Sequence, residues 1–286
     1  MAVCDVCFRK CDLAEGKTGA CNARIGRGGT VVPLFYGRLS SLALDPIEKK
    51  PLARFHPGSR ILSAGSLGCS LKCPFCQNHE IAQADDDRRF HVPTEQIMPE
   101  ELVEIAERYR NRGNIGIAFT YNEPLVGYEY VRDTARLAHE KGLLCVLVTN
   151  GTAGTRVYEE IAPYIDAMNI DLKGFTDRYY RDVLKGDRAM VMEFIRNAVR
   201  NCHVELTTLV VPGENDSPEE MLELSGWVAR LTGVFGGKTG RDIPLHISRF
   251  FPRYRMTDRE PTDVDTVYSL VEIAGRNLRY VYPGNC

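Results

Sequence analysis

Residues 61–78 of the chain run ILSAGSLGCSLKCPFCQN. The first five, ILSAG (61–65), form a short β-rich run, and from Gly68 the chain enters a C-x3-C-x2-C loop with Cys69, Cys73 and Cys76. A strand that empties straight into a loop of metal-binding side chains suits a parallel α/β fold, in which ligands gather at the carboxyl ends of the strands.

Downstream, the strand-to-loop unit recurs. Apolar runs at IGIAFT (115–120), LLCVLV (143–148), DAMNIDL (165–171), VELTTLVV (204–211), IPLHIS (243–248) and LRYVY (278–282) read as strands. Helical spacing of apolar positions fills the gaps at 99–111, 129–142, 156–164, 189–200, 217–231 and 264–275. Strand then helix, repeated, predicts right-handed βαβ units on a parallel sheet. About six such units fall short of a closed eightfold barrel. The expected fold is therefore α/β, a partial (open) TIM-type barrel over 61–286. Its strand ends run into YNEP, TNG, KGF and PGEND, which would bring polar groups to one rim.

Upstream, residues 31–60 carry VVPLFYG and DPIEKKPLARFHPG, short extended segments punctuated by Pro and Gly, read as a connecting strap. Residues 1–30 hold Cys4, Cys7, Cys11 and Cys21 in C-x2-C-x3-C-x9-C with little hydrophobic periodicity. That is expected of a small module whose fold depends on a metal. Zinc and a second iron-sulfur cluster both suit four thiolates.

With 286 residues and 44% hydrophobic composition, one main domain with an appendage is expected. The net charge of −2, with both signs interspersed, gives no basic field for a phosphate backbone, so nucleic acid is not an expected partner. No export signal and no run of about 18 apolar residues occurs, which predicts a cytoplasmic protein with no membrane partner. A monomer is expected. Ten cysteines in a reducing compartment then point to metal rather than disulfides. Cys145 and Cys202 fall in or beside apolar strands and read as small buried hydrophobes.

A cubane iron-sulfur cluster needs four ligands, one per iron, so three close cysteines leave one iron open to a ligand that is not protein. A zinc knuckle completed by His79 is the alternative, although zinc ribbons are normally built on hairpins rather than at a barrel strand.

The C-x3-C-x2-C loop resembles the radical S-adenosylmethionine (radical SAM) superfamily, in which the amino and carboxylate groups of S-adenosylmethionine chelate the open iron of a [4Fe-4S] cluster. Thr149-Asn150-Gly151, Asp171-Leu172-Lys173 and Val210-Val211-Pro212-Gly213 extend the resemblance to the pyruvate formate-lyase activase type of glycyl-radical activating enzymes. C-D-V-C, G-K-T-G-A-C-N-A-R, D-P-I-E-K-K-P-L, C-P-F-C-Q-N, T-Y-N-E-P and H-I-S-R-F-F-P resemble one branch, the AmmeMemoRadiSam-system radical SAM enzyme, over nearly the whole chain. The resemblance implies that Cys69, Cys73 and Cys76 carry the catalytic cluster. It implies that Phe75 lies near the adenine and that Asn78, in the same segment, is also a cofactor contact. Asn122 and Glu123 stand where activases bind the methionine amino group with a G-G-E segment, here replaced by Y-N-E-P. Thr149, Asn150 and Asp171 match positions around S-adenosylmethionine, and Lys173 and Thr207 match contacts to the methionine carboxylate. An ion pair at the surface is the alternative for Lys173. His246 joins the rim if its register is right, or else is a satisfied core histidine.

The implied activity is reductive cleavage of S-adenosylmethionine to methionine and a 5'-deoxyadenosyl radical. Flavodoxin or ferredoxin is the implied reductant. The hydrogen atom comes from a protein, as when a glycyl-radical enzyme is activated, or from a small molecule. An iron-sulfur electron-transfer protein without that cleavage is the rival, against which the polar strand ends weigh.

Overall fold

A computed structural model describes residues 1–84 and 91–286. Its centre is an eight-stranded sheet: β1 (Ser41–Pro46), β2 (Arg60–Gly65), β3 (Asn114–Phe119), β4 (Leu144–Thr149), β5 (Ala167–Asp171), β6 (His203–Val210), β7 (Leu245–Arg249) and β8 (Val281–Gly284). The strands lie in chain order across the sheet. β1 is antiparallel to β2, and the remaining neighbours are parallel.

Six helices return the chain: α1 (Pro99–Arg108), α2 (Tyr128–Glu140), α3 (Thr155–Ile161), α4 (Arg188–Asn201), α5 (Pro218–Ala229) and α6 (Val264–Gly275). The last three start on side-chain caps. Asp187 accepts the N–H of Met190 before α4, and Ser217 accepts that of Glu220 before α5, which opens with Pro218.

All six helices pack into one core with the same sheet face. Leu102, Val131, Val157, Phe194, Leu224 and Leu270 join Leu62, Ile117, Leu147, Ile170 and Ile247 there. Helices on one face of a sequentially ordered parallel sheet curl it into a barrel rather than a doubly wound sheet. β1 and β8 stand at the ends of the order, unpaired with each other among the described residues, so the barrel is open. The expected open α/β barrel is present.

The inner face is closed from one end. Ile47 and Leu52 pack on Ile61, Ala118, Val146 and Ala167, with Phe55 alongside. The segment 31–60, read from sequence as a strap, thus supplies both an edge strand and a floor for the barrel. Its strand carries Pro46 and alternates poorly, which an edge tolerates and a pattern search misses.

The N-terminal segment forms two small hairpins, Ala2–Val3 with Asp12–Leu13 and Arg24–Arg27 with Thr30–Pro33. Buried Arg24 grips Glu129 of α2 through both carboxylate oxygens, at 2.7 and 2.9 Å, and donates to the Val126 carbonyl at 3.1 Å. The N–H of Gly154 donates to Val6 at 2.9 Å.

Candidate active site

The cysteine loop leaves β2 at the carboxyl rim and is pinned on every side. Gly68 adopts φ +89°, and a Cβ there would lie 2.5 Å from the Cys21 carbonyl oxygen, so only glycine fits. Cys69 donates its N–H to that same carbonyl at 3.2 Å, and Lys72 donates to Leu184 at 2.8 Å. Arg9 Nε donates to the Ser70 carbonyl at 2.8 Å, and Gln83 to that of Leu71 at 2.9 Å. The Pro74 carbonyl accepts the N–H of Arg255 at 2.8 Å. Phe75 meets Phe250 edge to face, 6.2 Å between centroids. His79 stacks on Tyr254 at 4.5 Å, with Nδ1 3.2 Å from the Cys76 carbonyl.

At the end of β3, Asn122 holds the loop backbone, accepting from Ser66 N–H at 3.0 Å and donating to the Gly68 carbonyl at 3.1 Å. Asn78 donates to the Tyr121 carbonyl at 2.8 Å. Glu123 is buried and accepts from Thr149 Oγ1 (2.7 Å), Asn150 N–H (2.8 Å) and Leu125 N–H (3.1 Å). Burial nevertheless pushes its pKa up to about 7, against the lowering effect of these donors. Glu123 therefore joins the ends of β3 and β4.

At the end of β5, Lys173 Nζ pairs with Asp171 at 2.8 Å in a largely buried position. Burial alone would lower the lysine pKa, but the charges of Asp171 and Cys73 outweigh it, and the group is raised and stays cationic. This ion pair therefore lies against the cysteine loop rather than on the solvated surface.

Hydrogen-bonded register places Asp171 beside Thr207, Thr207 beside His246, and His246 beside Tyr282. Paired residues share a face, so His246 lies on the inner wall in the row that begins at Asp171. Its Nε2 meets Glu205 Oε2 at 2.7 Å, its ring stacks on Tyr282, and Thr207 is hydrogen-bonded to Asn169 at 2.9 Å. Glu205, His203 and Asn169 were missed in the sequence reading. A glutamate inside a buried parallel strand was the available signal, because such a charge must be paired.

The thiols of Cys69, Cys73 and Cys76 sense one another electrostatically. Burial is the main force raising all three, Cys73 to about 11. Cys7 is likewise pushed to about 12, by burial and then by Cys21, Cys4 and Cys11. Among the described residues no group of three or more His, Cys, Asp or Glu side chains is drawn tightly enough together to hold a single metal ion.

The family model for the radical SAM superfamily matches residues 65–225, from the rim glycine of β2 into α5. The chain belongs to the radical SAM superfamily. "Uncharacterized protein MJ0808" of Methanocaldococcus jannaschii is 38% identical over 99% of this radical SAM chain and 80% of that protein. The pyruvate formate-lyase 1-activating enzyme of Escherichia coli is 26% identical over 62% of the chain and 72% of that enzyme. Among solved structures, Streptococcus suis SuiB bound to S-adenosylmethionine superposes with a TM-score of 0.59 at 15% identity. That match covers 77% of this chain and 49% of SuiB. Escherichia coli QueE gives 0.52 at 14% identity over 86% and 92%. These structural matches share the fold.

Membership implies a [4Fe-4S] cluster and S-adenosylmethionine. The residues present fit such a group. Three soft thiol donors share one pinned loop, and burial penalises their anions unless a cationic cluster compensates. No helix of the described residues is long and apolar enough to cross a membrane.

Proposed function

We propose that this chain is a radical SAM enzyme of the activating-enzyme type, with Cys69, Cys73 and Cys76 as ligands of a [4Fe-4S] cluster that leaves one iron to S-adenosylmethionine. The observation that carries this reading is the trio of thiols on one loop at the carboxyl end of β2, beside the Asp171–Lys173 pair. When bound, the cluster supplies reductive cleavage of S-adenosylmethionine to methionine and a 5'-deoxyadenosyl radical, which abstracts hydrogen from a substrate.

The chain's own residues bind and orient. Lys173 is the cation for the methionine carboxylate, with Thr207 on the same wall. Phe75 and Asn78 flank the cofactor, and Asn122 and Glu123 shape the methionine end by holding the rim backbone. The floor built from Ile47, Leu52 and Phe55 shields the inner space from water at the far end.

Likeness to a pyruvate formate-lyase activating enzyme supports a protein substrate that receives a glycyl radical, with flavodoxin or ferredoxin as reductant. The Y-N-E-P segment and the AmmeMemoRadiSam resemblance support a different protein or small-molecule substrate. Cys4, Cys7, Cys11 and Cys21 would form a second metal centre, zinc or iron-sulfur, which elemental analysis distinguishes. We place the enzyme in the cytoplasm.

The test is anaerobic. The chain is reconstituted with iron and sulfide, reduced with dithionite and given S-adenosylmethionine, and 5'-deoxyadenosine is quantified beside Cys73→Ala. Product that requires Cys73 is expected. A reducible cluster that yields none with candidate substrates would favour the electron carrier.

A further inference from the structure

Asn150, Ser70 and Thr152 close a ring of hydrogen bonds with a fixed direction. Thr152 donates to Asn150 Oδ1 twice, from its N–H at 3.0 Å and its hydroxyl at 2.5 Å. Two donors on one atom identify it as the amide oxygen, so Nδ2 faces the other way. Having given its proton to Asn150, the Thr152 hydroxyl accepts from Ser70 Oγ at 2.6 Å, and Ser70 accepts from Asn150 Nδ2 at 3.2 Å. All three residues are buried, where a closed polar ring is rigid. The ring uses one proton of Nδ2. The other points to Cys69 Sγ, 3.5 Å away.

We propose that Asn150 is a positioning residue for the cluster, donating a fixed N–H···S hydrogen bond to the Cys69 thiolate and thereby raising the cluster's reduction potential. The inference rests on the reading that Cys69, Cys73 and Cys76 hold that cluster. A donor on a ligating sulfur draws electron density away from iron and so favours the reduced form. No bond forms or breaks, and the amide keeps both protons. The single electron comes from a flavodoxin- or ferredoxin-class reductant, or from dithionite in vitro.

The neighbouring asparagines do not share the role. Asn78 and Asn122 donate to the carbonyls of Tyr121 and Gly68, at 2.8 and 3.1 Å. The same Asn150 also gives its backbone N–H to Glu123, so the rim carboxylate and the first cysteine are held by one residue.

The experiment is a redox titration of the reconstituted full chain, followed by EPR. Asn150→Ala is expected to retain its iron and sulfide but shift the reduced-to-oxidised ratio at fixed potential about tenfold toward oxidised, a midpoint about 59 mV more negative. Ser70→Ala, which leaves the amide-to-sulfur bond in place, is expected to shift it less. A midpoint equal to wild type in Asn150→Ala, or a shift in Ser70→Ala as large as that in Asn150→Ala, overturns the proposal.

If Asn150→Ala loses its iron, pulsed EPR of wild type labelled with 15N in asparagine side-chain amides decides instead. Hyperfine coupling of that nitrogen to the reduced cluster supports the bond, and its absence removes it. A wild-type chain that takes up no iron removes the underlying reading as well, whereas an intact cluster with an unmoved midpoint removes this inference alone.

Discussion

Glu205 and His246 meet across neighbouring strands, Oε2 to Nε2 at 2.7 Å, while the other oxygen of Glu205 holds His203 at 2.9 Å. The N–H groups of Ala53 and Arg54 reach the same carboxylate at 2.9 and 2.7 Å, tying the barrel floor to β6. Burial alone would raise the Glu205 pKa. The two imidazoles and the Arg54 N–H outweigh it and bring the value from an ordinary 4.5 to about 2.

A depressed carboxyl pKa contributes stability that is present above 4.5 and lost as pH falls toward about 2. A shift of that size corresponds to about 3 kcal/mol. Urea unfolding at a series of pH values should show this loss in wild type. Glu205→Gln should be less stable at neutral pH and should flatten the slope between pH 4.5 and 2. An unchanged slope in the variant would show that other groups carry the acid response.

Glu123 presents the opposite sign. Its raised pKa means that the fold favours the protonated form, so its contribution is present below 4.5 and is lost as pH rises through about 7. Glu123→Gln should not mimic that form, because its NH2 must face either Thr149 and Leu125 or Asn150, all of which are donors to the wild-type carboxyl. A loss of about 1–3 kcal/mol is expected, read as a lowered urea midpoint. A variant as stable as wild type would refute the all-donor environment.

Gly116→Ala should prevent folding or leave the chain insoluble. A Cβ at that position would run into the backbone of Leu144 on the paired strand, and a backbone atom within a sheet has little room to move. Gly127→Ala is the control. Its Cβ would meet nothing within 4 Å, and the change should stay within about 0.5 kcal/mol. Soluble expression and thermal melting of the pair suffice.

Arg24→Ala removes one partner of a buried pair, and about 3 kcal/mol should go with it. The expected consequence is local: the first thirty residues become protease-sensitive before the barrel does. If the barrel and the N-terminal segment are cut together, Arg24 is not the clasp.

The parallel strands and the helices were legible because each is apolar in a recognisable way. Buried parallel strands read as continuous apolar runs, LLCVLV above all, and the helices carry apolar residues at helical spacing. β1 was not legible, since SLALDP shows neither signal and becomes a strand only by pairing with β2. Nor was the π-helix Tyr179–Leu184, a local winding that propensity does not encode.

At the rim, the polar residue types in TNG and DLK were visible at strand ends, and the structure sets Asn150 and Lys173 beside the cysteine loop. Their partners were beyond reach. Asn150 meets Ser70 and Cys69, residues 80 and 81 positions away, and no local pattern records such a pairing.

The docking of the first thirty residues has a consequence for synthesis. Asp5, Arg9 and Arg24 leave the ribosome well before their partners Arg156, Lys185 and Glu129, which are made more than a hundred residues later. Until then the four thiols of that segment, and the Cys21 carbonyl that anchors Cys69, wait undocked on the growing chain. Contacts so distant along the chain form late. This segment is therefore among the last parts of the fold to settle, and the nascent polypeptide carries its four thiols undocked until those distant partners have been made.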